Sequence, residues 1–269
     1  MTPLSLPRPR KRWGQHFLID PNIIRKIVAL AQISSDDTVF EIGPGRGALT
    51  RPICEQAGRV IAVELDPKLV EYLPESCSNY HNLDLHAGDA MVFPIESLPA
   101  QTVVVANLPY YLSTPLLFRL FEARSVIQRM VVLLQREVAR RIVARPATRD
   151  YGTLSVLSQY YSEPVIAFSI PGTCFTPRPD VDSAVVCLPI RPDRKSRGWD
   201  TYFENTVRSA FAHRRKTLVN SFRDEGWEMR RIVQALESVK IVPSRRAESV
   251  TVGEFESLAL ALQHSEILR

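Results

Sequence analysis

Hydrophobic and polar positions fall into blocks that switch between a helical and an extended period. Asp20-Pro21 places an N-cap residue before a proline at the first helical position. Ile23, Ile24, Ile27, Leu30 and Ala31 then recur at helical spacing. The run TVFEIG at 38–43 is short, β-rich and ends in glycine, which predicts a strand; ALTRPICEQ after it predicts a helix. VIAVEL at 60–65 predicts a second buried strand, and Asp66-Pro67 repeats the N-cap and proline signature. LDLHAGDA (83–90), TVVVAN (102–107) and MVVLLQ (130–135) are three more apolar runs with helical stretches between them. β-Branched runs alternating with helices predict an α/β fold whose parallel sheet is covered on both faces.

The pattern changes after Phe168. FSIPGTCFTPRPDVDSAVVCLPI predicts two strands around a proline-rich loop, an antiparallel edge pair. RPDRKSRGWD (191–200) reads as a polar linker, and short helices are predicted at Tyr202–Phe211, Arg214–Phe222, Met229–Ser238 and Val252–Gln263. No internal repeat is visible. The division this gives is a larger domain over 1–190 with a basic N-terminal arm, and a smaller helical domain over 191–269.

Composition narrows the class. Among 269 residues, 45% are hydrophobic and 23% charged, enough apolar material for a folded core and too much for a mainly disordered chain. No apolar run approaches the roughly 18 residues of a membrane span, and MTPLSLPRPRKRW lacks the apolar stretch of a secretory signal. Cys54, Cys77, Cys174 and Cys187 are widely spaced with no CxxC. They suit inert thiols in a cytoplasmic protein, with neither disulfides nor a metal site.

The net charge of +5 is unevenly spread. Residues 1–19 carry +4 from Arg8, Arg10, Lys11 and Arg12; residues 20–190 carry −3; residues 191–269 carry +4. Two basic ends around a slightly acidic centre suit a polyanion gripped at the margins. Arg10, Lys11 and Arg12 in the arm, and Arg214-Arg215-Lys216 near the other end, are the candidate phosphate contacts.

Candidate chemistry collects at the carboxyl ends of the predicted strands. Gly43-Pro44-Gly45-Arg46-Gly47-Ala48 lies between a strand and a helix, where alternate glycines let the backbone turn sharply and approach a ligand. The pattern also satisfies a dinucleotide fingerprint. Glu64 lies 21 residues beyond Gly43, at the tip of the second strand, placed to accept both hydroxyls of an adenosine ribose. NAD and S-adenosylmethionine both carry that ribose, so Glu64 does not choose between them. Asp89 would share the same edge, where it could accept from an adenine amine or serve only as a turn residue.

The fourth strand ends in Asn107-Leu108-Pro109-Tyr110, which favours methyl transfer to an adenine. The N6 lone pair is delocalised into the ring, so attack on a sulfonium methyl requires it to be turned toward that methyl. Two acceptors on the N6 hydrogens achieve this, and the Asn107 side-chain oxygen and the Leu108 carbonyl are the candidates. Pro109 stiffens the turn, and Tyr110 offers a flat face to an extruded base. A nicotinamide oxidoreductase would leave this tetrad without a purpose.

These motifs occur in an ordered set. It runs through Lys11–Leu18 (KRWGQHFL), Glu41–Gly47 (EIGPGRG), Val63–Asp66, Gly88–Ala90, Asn107–Tyr110, Gln135–Arg141, Tyr151–Val156, Phe175–Val186 (FTPRPDVDSAVV) and Arg245–Val250. The set resembles the ribosomal RNA adenine dimethyltransferases, in particular their bacterial small-subunit branch. The resemblance implies a Rossmann-like S-adenosylmethionine-dependent methyltransferase sheet of seven strands with an antiparallel last hairpin, plus a small helical C-terminal domain. It implies four methyl transfers, two to each of two adjacent adenosines near the 3′ end of small-subunit (16S) rRNA in an assembling 30S subunit. The enzyme would be a monomer. Carried over by position, His16, Leu18, Gly43, Gly45, Glu64, Asp89 and Asn107 would contact the cofactor. Asn107, Leu108, Pro109 and Tyr110 would shape the catalytic pocket, with Phe175 stacking on the base opposite Tyr110. The large-subunit rRNA methyltransferases share the glycine loop and the tetrad. The Phe175–Val186 block and Arg245-Arg246 favour the small-subunit branch. Arg178 replaces a proline that is usual in the family.

Overall fold

The computed structural model describes residues 6–10, 14–191 and 197–267. Strands β2 (Thr38–Ile42), β3 (Arg59–Glu64), β4 (Leu83–Ala87), β5 (Thr102–Asn107) and β6 (Ile127–Gln135) are mutually parallel. With β7 (Val165–Ile170) and β9 (Ser183–Pro189) they form one seven-stranded sheet in the order β4-β3-β2-β5-β6-β9-β7. Strand β9 runs antiparallel to both neighbours and lies inside the sheet, so only β7 of the last pair is an edge. The proline-rich loop adds a separate pairing: β1 (Phe17–Leu18) runs antiparallel to β8 (Phe175–Thr176).

Helix α1 (Pro21–Ala31) begins where Asp20 accepts hydrogen bonds from the Asn22 and Ile23 amides, and it buries Ile27, Val28 and Ala31. Helix α3 (Pro67–Ser76) begins the same way, with Asp66 accepting from the Lys68 amide. Helix α2 is five residues, Thr50–Cys54, shorter than the apolar run suggests. Helices α4 (Ser113–Glu122), α5 (Arg136–Ile142) and α6 (Thr153–Tyr161) follow. The sheet is covered at its centre: Val103, Val104 and Val105 of β5 are fully buried. A purely apolar strand packed on both faces is the form that a parallel sheet under helices requires.

Two compact units emerge, and the division differs from the one expected at residue 190. The first comprises residues up to 139 together with 162–191; the second comprises 140–161 together with 192–269. The second contains α7 (Arg197–Phe211), α8 (Leu218–Asp224), α9 (Met229–Ser238) and α10 (Val252–Ile267). The segment carrying α6 joins it for side-chain reasons. Tyr160 stacks on Phe203 with centroids 4.0 Å apart. Tyr161 donates to Glu204 at 2.8 Å, and Tyr151 donates to the Val250 carbonyl at 2.8 Å. Phe203, Phe222, Ile232, Leu236, Phe255 and Leu258 form its fully buried interior.

Two boundaries also shift. Helix α7 starts inside the expected linker because Trp199 is buried, stacks on Phe203 and donates to Tyr160 at 2.8 Å. Helix α8 starts at Leu218, four residues later than expected, because the Thr217 side chain accepts from the Asn220 amide and fixes the start there.

Candidate active site

A pocket with about 1050 Å³ of open space lies at the carboxyl ends of β2, β3, β4 and β5. The sheet extends in opposite directions from the β2–β5 pair, which makes this a switch point where α/β sheets bind ligands. His16, Leu18, Gly43, Gly45, Glu64, Asp89, Asn107, Leu108, Pro109 and Tyr110 all line it. Ten positions chosen from the sequence thus meet in one cavity.

The glycine loop passes over the tip of β2. Gly43 has φ +67° and Gly45 φ +59°, a left-handed conformation that glycine adopts without strain. A Cβ on Gly45 would sit 3.1 Å from the Phe17 ring, whereas one on Gly43 would meet nothing within 4 Å. Gly43 therefore presents open backbone to the pocket.

Glu64 is held at the tip of β3. One carboxylate oxygen accepts from the Gly45 amide at 3.0 Å and the other from the Asp66 amide at 2.8 Å. Burial raises its pKa, and those two backbone bonds oppose the rise. A carboxylate has about four lone-pair sites, so two remain for a pair of ligand hydroxyls. Asp89 caps the turn after β4, accepting from the Met91 amide at 2.8 Å, and also faces the pocket.

Asn107 ends β5. Its Nδ2 donates to the His16 carbonyl at 3.1 Å, which commits the amide's donor side and leaves Oδ1 as an acceptor. The Leu108 amide donates to the Leu133 carbonyl at 3.0 Å, while its own carbonyl takes no hydrogen bond among the described residues. The Pro109 carbonyl accepts from the Leu112 amide at 3.0 Å and closes the turn. The Tyr110 hydroxyl lies 2.6 Å from Ser183 Oγ, and burial raises its pKa. The His16 ring stacks on Tyr110 at 5.4 Å, and its Nδ1 donates to the Pro177 carbonyl at 2.7 Å. His16 is thus a brace for Asn107 and Tyr110 as well as a pocket residue.

Phe175 departs from expectation. It is 3% exposed, pairs with Leu18 through the backbone and packs in the core with Ile27, Val105, Leu133 and Val185. It does not line the pocket. The β1–β8 pairing draws the ring inward, so it offers no free face to a base in this structure.

Glu41 is a pocket residue to which the sequence assigned no role. It lies on β2, is 1% exposed, and its buried Oε2 has no hydrogen-bond partner among the described residues. Burial pushes its pKa up to about 8, and the Glu64 charge adds to the rise. The available signal was an acidic residue inside an otherwise apolar strand.

The polar groups of the pocket are mostly acceptors: Glu41, Glu64, Asp89 and Asn107. Its basic side chains are turned to protein groups: Arg46 donates to the Pro7 carbonyl and lies 4.3 Å over the Phe17 ring, and the His16 ring is bound to the Pro177 carbonyl. Such a set disfavours a pyrophosphate. It fits S-adenosylmethionine, which brings hydroxyls, an amine and positive charge; the unpartnered Glu41 oxygen and the open Gly43 backbone are where the fit is most specific.

The proposed phosphate contacts divide. Arg10 pairs with Asp66 at 3.4 Å, so it is already neutralised, and Lys11 and Arg12 lie outside the described residues. Arg214 and Arg215 are exposed in the turn before α8, with no ion pair among the described residues; Arg214 donates to the Arg149 carbonyl at 3.3 Å. Lys216 instead pairs with Asp224, which removes it as a free cation. No described helix is long and apolar enough to cross a membrane.

The sequence pattern of "Ribosomal RNA adenine dimethylase" matches residues 7–264. The chain is 43% identical over 268 residues to "Ribosomal RNA small subunit methyltransferase A" of Moorella thermoacetica, covering 95% of this chain and 93% of that one. It is 42% identical over 266 residues to the protein of the same name in Geobacillus thermodenitrificans, covering 94% and 90%. Its fold is similar to that of a dimethyladenosine transferase from Plasmodium falciparum, with TM-score 0.82 and 25% identity over 93% of this chain and 98% of that one. It is also similar to the 23S rRNA methyltransferase ErmE, with TM-score 0.71 and 26% identity over 92% and 99%. The chain belongs to the ribosomal RNA adenine dimethylase family, a family of S-adenosylmethionine-dependent methyltransferases.

Proposed function

We propose that the protein dimethylates N6 of two adjacent adenosines near the 3′ end of small-subunit rRNA, acting in the cytoplasm as a monomer on an assembling 30S subunit. The observation that carries the adenine chemistry is the hydrogen bond from Asn107 Nδ2 to the His16 carbonyl. It fixes which side of the amide faces the pocket.

Asn107 Oδ1 and the Leu108 carbonyl accept the two N6 hydrogens and turn the nitrogen lone pair out of conjugation. Pro109 holds those acceptors at a fixed spacing, and the Tyr110 ring supports the extruded base. The cofactor, when bound, supplies an electrophilic methyl on a positively charged sulfur. Acceptor oxygens and the Tyr110 face stabilise the positive charge that develops on the amine. Glu64 would hold the ribose hydroxyls and Asp89 the adenine amine of the cofactor. Leu18, Gly43 and Gly45 would give it its walls. Phe175 would act from beneath the pocket, as packing for β1.

The first unit would carry catalysis and the second, through Arg214 and Arg215, the grip on RNA phosphates. The names of the 42–43% identical relatives support the small subunit over the large one as substrate. An Asn107→Ala variant tests the central role. It is expected to lose methylation by about 100-fold or more, the usual cost of a positioned polar group, while subunit binding persists. Normal dimethylation by this variant would remove Asn107 from the mechanism.

A further inference from the structure

Among the described residues, every phenylalanine, tyrosine and tryptophan is buried or half-buried except one. Tyr111 is 54% exposed, and it lines the pocket directly after the Asn107–Tyr110 turn. Single apolar side chains on a surface are ordinary, but this one is aromatic and stands on the pocket wall. Its ring enters no aromatic pair, and its hydroxyl no hydrogen bond, among the described residues.

The backbone that carries the ring is fixed. The Leu112 amide donates to the Pro109 carbonyl at 3.0 Å, and the Ser113 hydroxyl donates to the Tyr110 carbonyl at 3.1 Å where α4 begins. Tyr110 is held on its own account, by Ser183 and by the His16 ring. Beside Tyr111 on the pocket wall lies Gly14, where a Cβ would come 3.8 Å from Tyr111 Cδ1. This neighbour has no side chain with which to cover the ring. A tyrosine has two side-chain torsions to lose, so it offers flat apolar area at low entropy cost.

The proposed reaction supplies an occupant. Two adjacent adenosines react, and Tyr110 supports the one under attack. The other is attached one nucleotide away and needs a place at the mouth of the pocket. Consecutive Cα atoms are about 3.8 Å apart, so the two tyrosines are neighbours in the protein as the two adenosines are in the RNA. Unstacked bases of single-stranded RNA are held by stacking on aromatic side chains. We propose that Tyr111 is a second base subsite, on which the adenosine not being methylated stacks while its neighbour occupies the catalytic pocket. A purine presents a larger face to the ring than a pyrimidine, so the subsite favours a purine.

This rests on two adjacent adenosines being the substrate, and the test separates the two ideas. Small subunits are reconstituted from rRNA in which one adenosine of the pair remains as target and the other is changed to guanosine or to uridine. The wild type is expected to methylate the target with the higher kcat/KM beside guanosine. Tyr111→Leu keeps apolar area and removes the flat face; it is expected to lower that kcat/KM about tenfold and to lose the preference. Tyr111→Phe is expected to keep it, because the hydroxyl has no partner. Equal kcat/KM on the two substrates with the wild type overturns the inference. So does a preference that survives in Tyr111→Leu or disappears in Tyr111→Phe. A fall of about tenfold or more in the S-adenosylhomocysteine affinity of Tyr111→Leu, read by calorimetry, would put the ring against the cofactor and overturn it as well. Failure of the wild type to methylate unaltered small subunits overturns the substrate reading and the inference with it.

Discussion

At the scale of single residues, the pocket is made of acceptors whose other valences are already used. Glu64 spends one lone pair of each oxygen on the Gly45 and Asp66 amides, and Asn107 spends its donor on His16. This fixes both groups before a ligand arrives, which lowers the entropy cost of binding one. Glu64→Gln replaces a charged acceptor by a neutral amide whose NH₂ must face a backbone N–H or a ligand hydroxyl. Hydrogen bonds to charged groups contribute about 1.5–3 kcal/mol, so S-adenosylhomocysteine affinity should fall about 10-fold to 100-fold by calorimetry. An unchanged affinity would remove Glu64 from the site. Glu64, Asp89 and the tetrad were legible because each follows an apolar run at a strand tip. Phe175 was legible as an aromatic near the site but not as a buried one, since its burial depends on pairing with β1, far away in sequence.

At the scale of elements, what could be read was local and what could not was tertiary. Asp20-Pro21 and Asp66-Pro67 announce α1 and α3 because cap and proline act within one turn. The Lys216–Asp224 pair and the packing of Tyr160 and Tyr161 against α7 join residues with no sequence period in common. The start of α10 shows a local device of the same kind as the Asp-Pro caps. The Thr251 and Glu254 side chains each accept from the other's amide, a capping box, and Glu254 also pairs with Arg245. These bonds, with Arg245 foremost, depress the Glu254 pKa from 4.5 to about 2. A depressed pKa stabilises the fold above the unfolded value and loses that stabilisation as pH falls toward the folded one. The wild type should therefore lose thermal stability between about pH 5 and pH 2 more steeply than Glu254→Gln. Scanning calorimetry showing parallel losses would mean that the pair contributes nothing.

At the scale of the whole molecule, the charge pattern needs revision in its details. The basic ends remain, but Arg10 is matched to Asp66 and Lys216 to Asp224, so fewer cations are free than the sequence suggests. Each phosphate-binding cation that is neutralised should lower the slope of log affinity against log salt by about 0.7 to 0.9. Removing Arg214 and Arg215 together should thus reduce the slope for rRNA by about 1.5, while Lys216→Ala leaves it nearly unchanged. The reverse ranking would place the RNA-binding cation at Lys216 instead. The account as a whole is tested most directly by supplying labelled S-adenosylmethionine to the enzyme with undermethylated small subunits and, separately, with large subunits. It predicts label in small-subunit rRNA, recovered as N6,N6-dimethyladenosine at two adjacent positions. Label in large subunits alone, or in neither, would contradict it.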